Sequence, residues 1–429
     1  MLKTFKWWYS AILILGLLWI PPAVRIGAIS INGLLIIPFV LYSLLSKLPK
    51  DKYKTTIFIY CVLYVLTHIM FIPLATSDLS IQLPAVRRYF NYLIVFFLWL
   101  SITSSKQIWD NISVINLGYF LVCLYGVFCI VTNTNPYVEY FVSPNSDSDV
   151  DIIARMQQYN EDARLGLSGR YSGITYNPLG FAVVLYQFSI IPIITLFKMR
   201  KDENKRLCFW VMLLLALICV YFTGSRGVLM AIILAFIVYL FEKYSFPKFI
   251  SICVIGGSIL FVGIINGFFP NIQVFIDSFI NDDIGGSSME GRFGQYWGVL
   301  LLLGNEGFLF GKGIGFSEYY FSLFGTHTNL QGLESLLSGT LLTYGFLGGI
   351  IVLVVYWFGI YYLIKKILLN RVSGKIYNLI MAYVIGYFFM EIAIGAYAPL
   401  NFFVLLFFTL RWLYLDSENG YPKLIQNSH

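Results

Sequence analysis

Charge is scarce in this chain. Of its 429 residues only 12% are Asp, Glu, Lys or Arg, against about 25% in a typical soluble domain, and 58% are hydrophobic. That balance excludes an ordinary water-soluble globule. Histidine is rarer still, limited to His68, His327 and His429. The six cysteines (Cys61, Cys123, Cys129, Cys208, Cys219 and Cys253) fall in or at the edge of apolar runs without CxxC spacing, which argues against a disulfide framework and a thiolate metal site. The acidic pair Asp282 and Asp283 reads as a solvated turn. Neither a metal nor a cofactor is expected. The sequence also lacks internal repeats and the short broken helices in matching halves that mark many transporters.

What is present in quantity is apolar length. Runs of roughly 17 to 25 residues are long enough to span a bilayer as helices, and twelve are read here: 7–24, 27–46, 55–74, 86–104, 111–132, 178–197, 207–223, 227–241, 248–268, 338–364, 376–396 and 399–415. The expected fold is therefore all-α, a polytopic integral membrane protein with about twelve transmembrane helices. The first run is expected to be retained, because no small-residue cleavage site follows WIPPAVR. The chain divides into a five-helix part (1–132), a long loop (133–177), a four-helix part (178–268), a second long loop (269–337), and a three-helix part with a tail (338–429).

Lysine and arginine in short loops favour the cytoplasmic side. With the N-terminus inside, the inner segments hold 20 of the 29 cations, including KLPKDKYK at 47–54, KMRKDENKR at 198–206 and KKILLNRVSGK at 365–375. Both termini are thus expected in the cytoplasm. The nine outer cations are Arg25, Arg87, Arg88, Arg155, Arg164, Arg170, Arg226, Arg292 and Lys312, whereas inside lysines outnumber arginines 16 to 4. Topology needs only positive charge, so the outer arginine bias asks for another cause. A planar guanidinium binds phosphate in a bidentate fork and does not deprotonate, which points to an anionic ligand, a phosphate or pyrophosphate, on the outer face.

Long loops in compact proteins are functional or disordered. These two combine arginines and glycines with aromatics such as Tyr171, Tyr176, Tyr296 and Trp297, and are expected to fold as small external elements whose rings suit sugar stacking. The short stretch Thr223–Gly227 reads TGSRG and joins two apolar runs at the outer surface. An ionisable side chain at membrane depth is a functional hypothesis by default, and this arginine is flanked by small residues that leave its backbone open. Glu391, inside an apolar run, is a further candidate on the same ground. His68 reads as a packed, hydrogen-bonded core residue.

TGSRG, GRYSGITYNPLG at 169–180, GRFGQYWG at 291–298 and THTNLQGLESLLSGTLLTYGFLGG at 326–349 resemble, in order, spacing and external placement, the O-antigen polymerase and O-antigen ligase superfamily of bacterial envelope proteins. The likeness covers roughly residues 160–350; the first five helices match in hydropathy only. The family pattern often has His directly followed by Asn, whereas Thr328 intervenes here between His327 and Asn329.

The resemblance implies a GT-C-like, metal-independent glycosyltransferase of the bacterial cytoplasmic (inner) membrane, with its active site facing outward. The donor would be an oligosaccharide on polyprenyl (undecaprenyl) pyrophosphate. The lipid bilayer and possible pathway partners, a chain-length regulator and a flippase, are implied as well, and nucleic acid is not. Fixed cations aimed at a departing pyrophosphate lower the barrier. Arg226 and Arg292 are expected to hold it, supported by Arg170 and Arg164, with Ser225, Asn329, Tyr171, Tyr296, Arg88 and Glu391 as further substrate contacts. His327 either takes the proton of the attacking sugar hydroxyl or only hydrogen-bonds a sugar or phosphate. Glu334, seven residues on, would orient the imidazole or accept the proton itself. The expected activity is polymerisation of lipid-linked repeat units. The alternatives are a ligase acting on lipid A-core and, from another class, a flippase for lipid-linked sugars.

Overall fold

In a hydrocarbon layer backbone amides must be satisfied within the chain, so long unbroken apolar runs become helices. The computed structural model describes residues 2–21, 24–26, 29–30, 51–145, 152–161, 169–199, 203–245, 247–251, 254–256, 258, 289–324, 333, 335–395 and 399–418. Helix α1 (Leu2–Trp19) leads to a minimal antiparallel ladder of β1 (Arg25–Ile26) and β2 (Ile29–Ser30). Helix α2 (Lys54–Ile69) continues through a 3-10 turn at Ile72–Leu74, and a second such turn, Asn91–Leu93, joins α3 (Leu79–Phe90) to α4 (Ile94–Ser101). Then come α5 (Ser105–Thr132), a single π turn (Val138–Val142), α6 (Ile152–Glu161), α7 (Pro178–Phe188), α8 (Ile190–Lys198), α9 (Glu203–Phe222) and α10 (Arg226–Lys243). The remainder holds α11 (Met289–Gly307), α12 (Phe316–Phe324), α13 (Leu336–Leu368), α14 (Gly374–Ile394) and α15 (Pro399–Glu418).

The protein is thus helical and of membrane type. Among the described residues, six helical stretches are long and apolar enough to cross a bilayer: Lys54–Leu74, Ser105–Thr132, Pro178–Lys198, Leu336–Leu368, Gly374–Ile394 and Pro399–Glu418. Trp7–Trp19, Arg206–Phe222, Arg226–Phe241 and Pro247–Gly256 are shorter apolar helices. Three expectations need correction or fall short of a test. Most of the expected span 27–46 lies outside the described residues, and its beginning is extended at Ile29–Ser30 rather than helical. The expected span 86–104 is broken by the turn at Asn91–Leu93, which leaves α4 only eight residues long.

The third correction concerns α13, read from sequence as a straight run. It is interrupted at Gly345, which has φ 68° and ψ −169°. The interruption has a partner. Lys312 N and Gly313 N donate to the carbonyls of Leu342 and Thr343, while Phe346 N and Leu347 N donate to Phe308 and Leu309. A Cβ on Gly311 would lie 2.4 Å from the Thr343 oxygen, and one on Gly345 would lie 2.5 Å from the Gly311 nitrogen. Two glycines therefore bring backbone against backbone, and a broken helix exists where none was expected.

Helix α15 is the axis of the bundle. A helix that is apolar on all sides belongs in an interior, and every residue from Asn401 to Asp416 is buried. Its aromatic rings interlock with neighbours: Phe402 stacks on Tyr387 at 3.7 Å, and Trp412 meets Trp109 edge-on at 5.1 Å. Helices α10 and α14 approach closely through small residues. Gly227 faces Ala393 and Ile394, and Gly386 faces the Ala231 carbonyl and Ala235: an added Cβ on Gly227 would lie 2.4 Å from the Ile394 side chain, and one on Gly386 would lie 2.8 Å from the Ala231 oxygen. Small residues at such seams let membrane helices pack through dispersion alone.

Both ends of the bundle can be followed through the side chains of α15. At one pole Arg411 pairs with Asp51 and donates from Nε to the Ile102 carbonyl at 2.9 Å. Asp51 also accepts from Trp99 Nε1 (3.1 Å) and from the Tyr53 amide (2.9 Å). Burial works to raise the Asp51 carboxyl, but the Arg411 guanidinium and these hydrogen bonds outweigh it and hold it below its ordinary range. Asp416 pairs with Lys198 and accepts from Ser105. The start of α5 and the ends of α4, α8 and α15 thus meet at one pole. That is the pole where the lysine-rich segments gather. A 20-residue helix is about 30 Å long, so the far ends of α5, α9 and α14 and the start of α10 form the opposite pole.

Candidate anion-binding site

At that opposite pole α9 stops and α10 starts within three residues. Thr223 bends its hydroxyl back to the Val220 carbonyl (2.6 Å), and Gly224 follows at φ 64°, the left-handed conformation that commonly ends a helix and favours glycine. Ser225 then sits extended at the N-cap of α10. Its amide donates to Thr223 Oγ1 at 3.2 Å, but its hydroxyl does not cap the helix. That hydroxyl is buried, with the residue only 4% exposed, and has no hydrogen-bond partner among the described residues. The first amides of a helix need outside acceptors, and an uncapped N-terminus with its positive dipole end is suited to an anion.

Arg170 is laid across this turn. Its Nε donates to the Thr223 carbonyl at 2.9 Å, where the negative end of α9 favours a cation. Its amide donates to the Tyr159 carbonyl on α6 at 2.9 Å, and its guanidinium stands 5.4 Å above the Tyr159 ring. A Cβ on Gly224 would come within 3.2 Å of the Arg170 side chain. Gly224 is therefore required twice, for its backbone angle and for the room it leaves. Beside it the Tyr171 amide donates to the Phe222 carbonyl (3.1 Å), and the two rings meet edge-on at 6.3 Å. Asn135 Nδ2 holds the next turn through the Gly173 carbonyl at 2.6 Å. Asn177 caps α7 by accepting from the Leu179 amide, with Pro178 at the first helical position.

The two arginine motifs are thus joined in space. Arg170 of GRYSG and Arg226 of TGSRG flank one turn, with Arg226 half-buried as the first residue of α10. Neither protein-family models nor curated proteins match this chain. The assignment of the site therefore rests on its own chemistry: two guanidinium groups, a buried hydroxyl without a partner, and an uncapped helix start. Among the described residues no group of histidine, cysteine and carboxylate side chains could hold a metal ion.

The other expected site residues are dispersed. Arg292 lies in the first turns of α11, which packs on α13. Tyr296, one turn further, shares a hydrogen bond of 3.1 Å with Ser335, the N-cap of α13. Arg88, expected as a ligand contact, is ion-paired with Glu318 of α12 at an exposed position. Burial works to raise Glu318, and the Arg88 hydrogen bond and charge overcome it, leaving the carboxyl below its ordinary range. Glu391 is fully buried in α14 and accepts from the Tyr356 hydroxyl at 2.8 Å. His327, Asn329, Glu334 and Arg164 lie outside the described residues. His68 is packed as expected, its Nδ1 donating to the Tyr64 carbonyl at 2.7 Å with Tyr89 at 4.3 Å. Tyr159 was missed. It carries no motif, and only the fold brings it beneath Arg170.

Proposed function

We propose that this chain is a membrane glycosyltransferase of the O-antigen polymerase type, joining lipid-linked oligosaccharide repeat units at the outer face of the bacterial cytoplasmic membrane. The observation that carries the reading is the TGSRG turn. Arg170 and Arg226 flank a buried, unpartnered Ser225 hydroxyl at an uncapped helix start, an arrangement suited to the diphosphate of a polyprenyl carrier. In the reaction a sugar hydroxyl of the incoming repeat attacks the anomeric carbon of the growing chain, and the bond from that carbon to the pyrophosphate oxygen breaks. Negative charge gathers on the leaving diphosphate, where Arg226 and Arg170 stabilise it. The hydroxyl proton passes to His327.

The lysine-rich pole, on this reading, faces the cytoplasm. A cell lacking the protein should carry surface molecules capped with a single repeat and no long chains in any pool. Long chains stranded on the lipid carrier would instead mark a ligase, and single repeats trapped on the cytoplasmic face a flippase. Arg226→Ala and His327→Ala, checked for normal membrane levels, should reproduce the deletion; normal polymer from both would remove the proposed site.

A further inference from the structure

We infer that a cavity at the lysine-rich pole binds the headgroup of an aminophospholipid from the adjoining leaflet, with its phosphate on Lys52 and its ammonium on Glu418. The cavity has a volume of about 510 Å³, and its lining includes Asp51, Lys52, Arg411, Tyr414 and Glu418. That is a size typical of small-ligand sites. Two of the stretches long enough to span a bilayer meet it at their ends: Lys54–Leu74 begins just beyond Lys52, and Pro399–Glu418 ends on Glu418. The ends of spanning helices lie at the depth of lipid headgroups, so a headgroup is the ligand placed to enter.

The four charged groups of the lining divide into a closed pair and an open one. Asp51 and Arg411 bind each other, with Trp99, the Tyr53 amide and the Ile102 carbonyl completing them. Lys52 and Glu418 are exposed and form no ion pair among the described residues. Each is held by a tyrosine. The Lys52 ammonium stands 5.8 Å from the centre of the Tyr53 ring, and the Tyr414 hydroxyl donates to Glu418 Oε1, leaving Oε2 without a partner among the described residues. Arg371 adds a second cation at the same ring, its guanidinium carbon 5.3 Å from Tyr53 and 4.9 Å from Tyr414. A bare phosphate would meet Glu418 as a like charge, and a bare cation would meet Lys52 and Arg371 in the same way. A phosphodiester that carries a primary ammonium answers both: its oxyanion accepts from Lys52, and its ammonium donates to Glu418. A phospholipid with phosphate alone loses the second contact and is repelled by the carboxylate, which is how such a site selects.

The test titrates the full-length protein, delipidated in detergent, with dihexanoyl phosphatidylethanolamine and with dihexanoyl phosphatidylglycerol, and counts bound lipid by native mass spectrometry. The ethanolamine lipid should bind about ten-fold more tightly, for the hydrogen bond its ammonium gives to a carboxylate. Lys52→Gln should weaken both lipids, whereas Glu418→Gln should weaken the ethanolamine lipid and strengthen the glycerol lipid, so that the preference disappears. Both residues are exposed, and thermal unfolding in detergent should be unchanged in each variant. Opposite shifts for two lipids are not produced by a general loss of structure. Glycerophosphoethanolamine, the same headgroup without acyl chains, should bind at least about ten-fold more weakly than the lipid, since it buries no hydrocarbon. Equal binding of that soluble phosphodiester overturns the lipid as the ligand. Equal affinity of the wild type for the two lipids, or a preference that survives Glu418→Gln, overturns the inference as a whole.

Discussion

The two poles of the bundle treat charge in opposite ways. At the lysine-rich pole the buried ions are matched within the protein: Arg411 with Asp51, and Lys198 with Asp416, each pair further tied by backbone or hydroxyl groups. At the TGSRG pole a helix begins uncapped beside a buried hydroxyl that has no partner among the described residues. Buried polar groups are normally satisfied; orphaned ones occur elsewhere among the described residues as well, Trp412 Nε1 at the lysine-rich pole included, and what sets Ser225 apart is its place at an uncapped helix start beside Arg226. The first pole holds the bundle together, and the second is where the proposed function places its ligand.

The sharpest way to break this comparison is at the first pole. Arg411→Ala should lower the unfolding free energy by about 3–5 kcal/mol, because it strands Asp51 as a buried charge, and thermal unfolding in detergent would show it. Titration of the same pair gives its sign. Asp51 is depressed below its ordinary value of 3.8, so its contribution is complete above that value and disappears as pH falls through the lower, folded value. The acid limb of the stability profile should flatten in Asp51→Asn.

At the second pole Gly224→Ala should destabilise by only about 1–2 kcal/mol for the left-handed backbone, yet it should displace Arg170 and abolish pyrophosphate binding. Arg88→Ala removes an exposed ion pair and should shift stability by less than about 1 kcal/mol. Ser225→Ala should be the mildest, changing stability by no more than about 0.5 kcal/mol while weakening pyrophosphate binding roughly ten-fold for the lost hydrogen bond to a charged group. If Ser225→Ala instead unfolded the protein and left binding alone, the distinction between the poles would collapse.

The helices were legible because apolar length is itself the signal, and the TGSRG turn because glycine and serine punctuate it. The break at Asn91 was not, since it lies inside the aromatic stretch RRYFNYLIVFF, where nothing separates a turn from a helix. Gly345 was unreadable for a related reason. A glycine within an apolar run lowers helix preference by only about 1 kcal/mol, and the cause of the break is the distant backbone at 308–313. Hydropathy could not single out α15 either, because a side chain facing lipid and one facing other helices look alike in composition. The pairing of Asp51 with Arg411 spans 360 positions, and no local pattern announces it.

The contact of Gly311 with Gly345 has one more consequence, for the way the molecule opens. Amides at Lys312, Gly313, Phe346 and Leu347 all bond across that contact, so none is released to solvent unless the two backbones part. Local openings in proteins occur in cooperative units. These four amides should therefore exchange their hydrogens at one common rate, slower than that of exposed neighbours on α12, and Gly345→Ala should accelerate all four together.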